Sequence, residues 1–357
     1  MTDSSALVGK VITVNGLVDG QNLGITLPHE HIMLDMSLYH PVKPSDPGYL
    51  ISNQELTLAN LHRVTYGKFF DVLDNTRLND ESYAITELNM FRDAGGGTIC
   101  ELTCGKQGEN PLALKRISRA TGVNIVLGCG YYVGKMHPPH VSQMTEDQIF
   151  EQFVREIKIG FGDTAVQAGV IGEIGCSWPL QADEKKVLFA AVRAQCETGV
   201  GLTIHPSPNE QSPAEILRVL KDAGGRLDRT VIGHMDRCGY ELETRLELLE
   251  AGCLIAYDTF GYHVHPIGAA LRQGALPTML NDVARIKQIV ELADHGFLSQ
   301  LLVSHDTAFK HQLTRWGGQG YAHLLANVIP YMNLYGLDEE SVHQVMVKNP
   351  RRFLEIE

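Results

Sequence analysis

The sequence predicts an α/β fold, a (β/α)8 TIM barrel, from two observations. Eight short apolar runs alternate with amphipathic helical stretches between residues 24 and 306, and no change of composition divides the 357-residue chain. The runs are continuous rather than alternating, which is typical of strands buried on both faces of a parallel sheet. The alternative, a doubly wound sheet, usually carries a glycine-rich phosphate turn after its first strand. Here the first run ends in Pro28-His29-Glu30-His31 instead.

The strands and helices are predicted in strict alternation. The strands cover residues 24–27, 97–101, 124–128, 169–173, 201–205, 230–234, 253–257 and 301–305. Helices are predicted over residues 81–94, 111–121, 145–157, 183–198, 212–223, 241–251, 282–294, 320–329 and 339–347. Two of them begin with the pattern of a capping box, Thr145 with Gln148 and Ser212 with Glu215.

Two segments lie outside this alternation. Residues 7–23 predict an N-terminal β-hairpin, with a turn at Asp19-Gly20. Residues 32–80 form an insertion after the first strand, irregular around Pro41, Pro44 and Pro47 and helical over 56–73. We therefore expect residues 1–357 to form a single barrel domain.

Composition narrows the class of partner. The chain has 30 Lys and Arg against 42 Asp and Glu, a formal charge of −12, which argues against nucleic acid and anionic membranes. We expect a small-molecule substrate, and a homodimer because two-fold dimers are the commonest oligomers. The seven cysteines lack paired spacing, the N-terminus does not resemble a signal peptide, and no apolar run approaches membrane-spanning length. These features predict a cytoplasmic protein with free thiols.

Metal-binding side chains stand at the ends of the predicted strands. The C-terminal ends of all barrel strands meet at one rim, so these residues should lie together. Imidazoles and carboxylates suit a divalent metal such as zinc. The candidate ligands are His29, His31, Glu173, His205, His234 and Asp306.

Six ligands exceed the three that a single catalytic zinc takes from protein, so two metal ions are predicted. Glu173 could bridge them. Asp306 could bind one metal, take the proton of the attacking water and later protonate the leaving group, which makes it the candidate catalytic residue. His305 points to the other side of its strand and is interpreted as structural.

Basic and aromatic residues after the strands are candidate substrate contacts. They are Arg237, Tyr132, Lys310 and Arg315. Each could instead close the barrel rim or pair with an acidic neighbour. Taken together, the cations favour a substrate with an anionic group.

At these motifs the sequence resembles phosphotriesterase-related proteins of the amidohydrolase superfamily. The matching residues are Pro28 to His31, the run from Gly169 to Leu180, Thr203 to Pro206, Gly233 to Arg237, and Ser304 to Asp306. The resemblance implies a metal-dependent hydrolase barrel with a binuclear centre, usually of zinc. It places His29, His31 and Asp306 on one metal and His205 and His234 on the other.

The sequence departs from the phosphotriesterases proper at two points. They carry a carboxylated lysine as the bridge from strand 4, whereas this strand has no lysine and Glu173 stands one residue later. A one-residue offset swaps strand faces, so either the strand bends near Gly172 or the site holds one metal. We expect Glu173 to bridge. After strand 7, Tyr257-Asp258-Thr259 lacks the histidine of the phosphotriesterase proton relay.

The leading functional hypothesis is a metal-dependent hydrolase that cleaves a carboxylic ester, lactone or amide of a small anionic substrate. The first alternative is an organophosphate hydrolase of the phosphotriesterase type. The second is a catalytically silent barrel that binds a small molecule, which would predict the loss of one or more ligands. All six are present.

Overall fold

The computed structural model describes residues 7–37, 49–105, 107–264 and 279–357. The predicted irregular stretch at Pro41, Pro44 and Pro47 lies outside these residues. An antiparallel hairpin joins β1 (Lys10–Thr13) to β2 (Gly16–Asp19). Ten further strands follow: β3 (Ile25–Glu30), β4 (Leu34–Asp35), β5 (Arg77–Leu78), β6 (Gly96–Glu101), β7 (Asn124–Cys129), β8 (Val170–Gly175), β9 (Gly201–His205), β10 (Thr230–Ile232), β11 (Leu254–Tyr257) and β12 (Leu301–Val303).

Eight of these strands form one parallel sheet, in the order β3-β6-β7-β8-β9-β10-β11-β12. The order is sequential, and the sheet curls into the predicted barrel. The short strands β4 and β5 pair with each other within the insertion.

The described helices follow the barrel strands along the chain, and the last three come after β12. They are α1 (Tyr49–Ser52), α2 (Glu81–Asp93), α3 (Pro111–Thr121), α4 (Glu146–Lys158), α5 (Ala182–Thr198), α6 (Ser212–Asp222), α7 (Met235–Cys238), α8 (Leu242–Glu250), α9 (Asp282–Asp294), α10 (Ile329–Leu334), α11 (Glu339–His343) and α12 (Asn349–Leu354). Two π-helical turns, Leu324–Val328 and Gln344–Lys348, precede α10 and α12. None of the described helices is long and apolar enough to cross a membrane.

The core has two parts, because successive residues of a buried strand face opposite sides. Ile125 and Leu127 of β7 pack in the larger cluster between sheet and helices. Val126, between them, packs in a smaller cluster inside the barrel. That interior cluster includes Val11 of the hairpin and Leu354 of α12. The hairpin and the C-terminal helix therefore close the N-terminal end of the barrel.

Some local predictions are confirmed and others are wrong. The Thr145–Gln148 capping box is present. Ser212 is already inside its helix, where its hydroxyl accepts a hydrogen bond from the Ser207 amide rather than capping. The helix predicted over 56–73 is wrong, since this segment holds only the 3-10 turn Leu61–Arg63 and the start of a second 3-10 turn, Leu73–Thr76.

The first and last barrel strands are joined mainly by side chains. Between them, the Asp306 amide donates to the His29 carbonyl at 3.2 Å, and the His29 amide donates to the Ser304 hydroxyl at 3.2 Å. The same hydroxyl donates to a carboxylate oxygen of Glu30 at 2.8 Å. The barrel therefore closes where the predicted ligands of strands 1 and 8 meet.

Candidate metal centre

The structure brings the six predicted ligands together at the C-terminal rim. Five are at least 95 % buried, and the Asp306 side chain is 15 % exposed. Their ligand atoms fall into two clusters with no residue in common, and within each cluster they lie within 4.8 Å of one another. The first cluster is His29, His31 and Asp306, and the second is Glu173, His205 and His234.

Short distances define both clusters. In the first, Nε2 of His31 lies 3.2 Å from Oδ1 of Asp306, and Nε2 of His29 lies 3.7 Å from the same oxygen. In the second, Oε2 of Glu173 lies 2.7 Å from Nδ1 of His205 and 3.3 Å from Nε2 of His234.

Glu173 reaches both clusters. Its Oε2 also lies 3.3 Å from Nε2 of His29, and its Oε1 lies 3.6 Å from Nε2 of His31. One carboxylate thus stands between the two sets of imidazoles, as a bridging ligand must.

A bulge in β8 gives Glu173 this direction. The pairing of β8 with β9 shifts register between Ile171 and Ile174. Gly172 has a φ of +110°, and a Cβ there would lie 2.1 Å from the Thr203 carbonyl oxygen. Only glycine fits such a position. The bend considered near Gly172 is therefore present, and the one-residue offset does not turn Glu173 away from the site.

Two ligands stand just beyond their strands rather than within them. The strand predicted over 230–234 ends at Ile232, and the strand predicted over 301–305 ends at Val303. His234 and Asp306 follow with φ of 55° and 53°, in the left-handed region that residues other than glycine rarely adopt. Such outliers cluster at functional sites, where the surrounding contacts hold them.

Asp258 is a site residue that sequence reasoning missed. It is fully buried at the end of β11. Its Oδ1 lies 2.8 Å from Nδ1 of His234 and accepts a bond from the His234 amide, while its Oδ2 lies 2.8 Å from Nδ1 of His29. A carboxylate behind a ligating imidazole fixes the ring and its tautomer, so Asp258 leaves both Nε2 atoms facing Glu173.

The charges of the cluster suit a cation. Burial favours neutral imidazole, yet the Asp258 and Glu173 carboxylates raise the pKa of His29 well above its ordinary value. Burial likewise opposes the charge of Glu173, but His205 and His29 hold the pKa of that carboxyl well below its usual range. Burial, with the nearby charges of Arg237 and His234, lowers the pKa of His205 to about 3.

The residues fit a metal pair by their chemistry. Imidazole nitrogens and carboxylate oxygens are the ligands that zinc takes in catalytic sites. Nε2 of His29 is buried without a hydrogen-bond partner among the described residues and faces Glu173 and Asp306. A buried polar atom with nothing to bond is expected where a ligand completes the site.

Two of the four predicted substrate contacts lie beside this cluster. The hydroxyl of Tyr132 is 3.1 Å from Nε2 of His205, and Nη2 of Arg237 is 3.0 Å from the same atom. In the described part of the chain, the Arg237 guanidinium forms no ion pair with a carboxylate, and its Nε makes no hydrogen bond.

The other two predicted substrate contacts, Lys310 and Arg315, touch residues of the insertion and of α2 instead. Nζ of Lys310 lies 2.6 Å from Oδ1 of Asp74. The Arg315 guanidinium stacks on Tyr83, 4.5 Å from the ring centre. Both residues therefore have a structural partner, and their contact with substrate stays a prediction.

A cavity of about 420 Å³ reaches the two chain neighbours of Asp306, although none of the six predicted ligands lines it. His305 and Thr307, the neighbours of Asp306, form part of its wall, and aromatic residues such as Phe69 and Tyr262 form another part. Tyr262 also donates from its hydroxyl to the Asp306 carbonyl at 2.8 Å.

Comparison with known proteins agrees with this geometry. Residues 9–354 match the phosphotriesterase family. The chain belongs to this family. It is 37 % identical to an N-acetyltaurine hydrolase of Dictyostelium discoideum, over 98 % of both chains. It is 36 % identical to the N-acetyltaurine hydrolase of Homo sapiens, over 98 % of this chain and 99 % of the relative.

Solved structures show the same fold. A resiniferatoxin-binding protein from Rhodobacter sphaeroides aligns with a TM-score of 0.90 at 31 % identity, covering 98 % of this chain and 96 % of that one. The phosphotriesterase homology protein of Escherichia coli aligns with a TM-score of 0.75 at 26 % identity, covering 93 % and 99 %. The barrel and the family predicted from the sequence are thus confirmed. This phosphotriesterase-family protein is a hydrolase.

Proposed function

We propose that the protein hydrolyses the amide bond of a small N-acyl compound whose amine half carries an acidic group, as N-acetyltaurine does. Two divalent metal ions, which we take to be zinc, would be held by His29, His31 and Asp306 on one side and by His205 and His234 on the other, with Glu173 between them. When bound, such ions supply Lewis acidity that activates water and polarises a carbonyl. The names of the relatives support an amide substrate.

Arg237 carries the proposal for an acidic substrate. Its guanidinium lies at the cluster without a carboxylate partner among the described residues. A half-buried cation of this kind favours an anion, and the planar guanidinium can donate two parallel hydrogen bonds to a sulfonate or carboxylate. We assign this role to Arg237, with Tyr132 beside it as a second polar contact.

Asp306 would move the proton. It is the most exposed of the six ligands, so substrate can reach it. In this scheme its carboxylate takes a proton from the attacking water as the carbonyl carbon gains oxygen. It returns that proton to the leaving nitrogen as the C–N bond breaks, which yields a carboxylic acid and an amine.

The decisive experiment compares a charged and a neutral amide. Zinc-loaded protein should hydrolyse N-acetyltaurine faster than N-ethylacetamide, which lacks the sulfonate. R237M should lower kcat/KM for N-acetyltaurine by about tenfold to a hundredfold, mainly through KM, as expected for the loss of a charge-assisted hydrogen bond. The same variant should leave kcat/KM for N-ethylacetamide unchanged within about threefold.

Other outcomes would contradict specific parts of the proposal. If R315M rather than R237M raised KM, the anion would bind at Arg315. Rapid turnover of a neutral aryl phosphotriester with no amidase activity would favour the organophosphate hydrolase. Larger N-acyl groups belong in the substrate panel because the cavity beside Asp306 has room for them.

Partner and compartment are further parts of the proposal. The charge of −12 supports a small-molecule substrate rather than nucleic acid. All seven cysteines are free, and six of them are buried, which supports a reducing compartment such as the cytoplasm. We propose a homodimer from the frequency of two-fold assemblies, and light scattering would measure it.

A further inference from the structure

Glu30 stands between two proposed ligands but faces away from them. Its side chain is fully buried, and it accepts hydrogen bonds from residues of the loop after β12. Oε1 accepts from the Ser304 hydroxyl at 2.8 Å, from the His305 amide at 2.8 Å and from Nδ1 of His305 at 2.7 Å. Oε2 accepts from the Thr307 amide at 3.0 Å.

The two backbone amides that Glu30 binds belong to the residues on either side of Asp306. Asp306 itself has a φ of 53°, and its own amide donates to the His29 carbonyl at 3.2 Å. Three successive amides of the loop are therefore bound by residues 29 and 30. A left-handed backbone is uncommon for any residue other than glycine, and these bonds hold Asp306 in it.

His305 extends the same arrangement. Its Nε2 accepts a bond from the Leu324 amide at 3.0 Å, so its proton lies on Nδ1 and points to Glu30. The imidazole thus ties the Glu30 carboxylate to the π-helical turn Leu324–Val328. It explains why a histidine next to a ligand takes no part in the metal cluster.

We propose that Glu30 is a positioning residue for Asp306: by binding the amides of His305 and Thr307, it holds Asp306 in the backbone conformation that directs its carboxylate at His31 and His29. The significance for hydrolysis rests on the proposed role of Asp306. The effect on the first metal position does not depend on any substrate.

The substitution E30Q removes the hydrogen bond from the Thr307 amide to the Glu30 side chain. A glutamine oxygen can replace Oε1, but the amide nitrogen then faces the Thr307 N–H, and two donors cannot bond. The control is E184Q. Glu184 is also fully buried and accepts from three backbone amides and one hydroxyl. None of those donors is next to a proposed ligand.

We expect E30Q to release zinc to a chelator at least tenfold faster than the wild type, with kcat for N-acetyltaurine at least tenfold lower and KM within threefold. E184Q should stay within threefold of the wild type in all three measurements. Circular dichroism first establishes that each variant is folded. The proposal is overturned if folded E30Q releases zinc and turns over substrate like the wild type, or if E184Q changes as much.

E30D covers the case in which E30Q does not fold. It keeps the charge but retracts the carboxylate by one methylene, and it should release zinc at least threefold faster than the wild type. Release at the wild-type rate would overturn the proposal. If wild-type protein bound zinc but hydrolysed no N-acyl substrate, the proposed function would fail while the comparison of zinc release would still test Glu30.

Discussion

Asp258 connects the two metal positions through one carboxylate. Its two oxygens lie against Nδ1 of His29 and Nδ1 of His234, which belong to different clusters. Burial opposes its charge, but the two imidazoles hold the pKa of Asp258 far below its usual range. It is therefore an anion that orients one ligand of each proposed metal.

D258N tests this connection. The asparagine can present an oxygen to only one of the two Nδ1–H groups, so one imidazole loses its orientation. We expect zinc affinity to fall by about tenfold to a hundredfold, as is usual for the loss of a residue that orients a ligand. Competition with a chromophoric chelator measures it.

The control for Asp258 is D282N. Asp282 is an aspartate held by Arg285 and His323, and it contacts none of the proposed ligands. Its removal should leave zinc affinity within about threefold. Equal zinc affinity in D258N and the wild type would contradict the orienting role.

The sequence predicts which candidate ligands the structure brings together, but not the residues that orient them. The six predicted ligands end five apolar runs, because His29 and His31 share the first, and barrel geometry brings such ends to one rim. Asp258 ends a run in the same way, yet its role depends on which atoms it meets across the barrel. Glu30 lies between two histidines, and only the closure of β3 against β12 shows what it binds.

The bulge in β8 decides where Glu173 points. In a regular strand, the one-residue offset would turn the Glu173 side chain to the face opposite the metal cluster. The register shift after Ile171 reverses this, so Glu173 faces the cluster. The bulge requires glycine because of the φ of +110° at Gly172 and its contact with the Thr203 carbonyl. This part of the site depends on one strand's local conformation.

G172A should therefore disturb both stability and metal binding. The added Cβ would lie 2.1 Å from a backbone oxygen, so the strand must shift and Glu173 with it. We expect a loss of about 2–4 kcal/mol in the free energy of unfolding, as for a strained backbone position. We also expect about one zinc ion fewer per chain, measured by atomic emission after dialysis.

G122A is the matched control. Gly122 also has a positive φ, 76°, but a Cβ there meets nothing within 4 Å. It ends α3, far in sequence from the ligands, and its replacement should cost about 1 kcal/mol without changing the zinc content. Normal zinc content in G172A would show that Glu173 does not need the bulge.

Strands were easier to predict than their ends. The runs themselves were visible because strands buried on both sides must be apolar throughout. The ends of β10 and β12 were placed two residues too late, because His234 and Asp306 leave the strand in a left-handed turn that no local pattern announces. The structure of the insertion is harder still to predict. Residues 56–73 have helical spacing of apolar residues, but contacts with the rest of the chain set their conformation, such as the hydrogen bond from the Trp316 indole to the Leu56 carbonyl.

Barrel stability as a whole should depend on pH through a carboxyl outside the metal cluster. Glu156 of α4 lines a cavity of about 310 Å³ with Cys104, Glu109 and Tyr131. Burial raises the pKa of Glu156 to about 7, with a further contribution from the charge of Glu109. Its partner is Gln152, whose amide donates to it at 2.9 Å.

The sign of the effect follows from the direction of this shift. Between about pH 4.5 and pH 7 the folded state holds a proton on Glu156 that the unfolded state has lost, so stability falls as pH rises through this window. The cost reaches at most about 3 kcal/mol above pH 7.

E156Q removes the ionisable group and should be more stable than the wild type at pH 8 by about 1–3 kcal/mol, with the difference vanishing near pH 5. Urea unfolding of both proteins across this range measures it, and E151Q, at an exposed position of the same helix, should show no such pH-dependent difference. Because the metal cluster titrates equally in both proteins, parallel stability curves for E156Q and the wild type would mean that Glu156 is ionised in the fold at neutral pH.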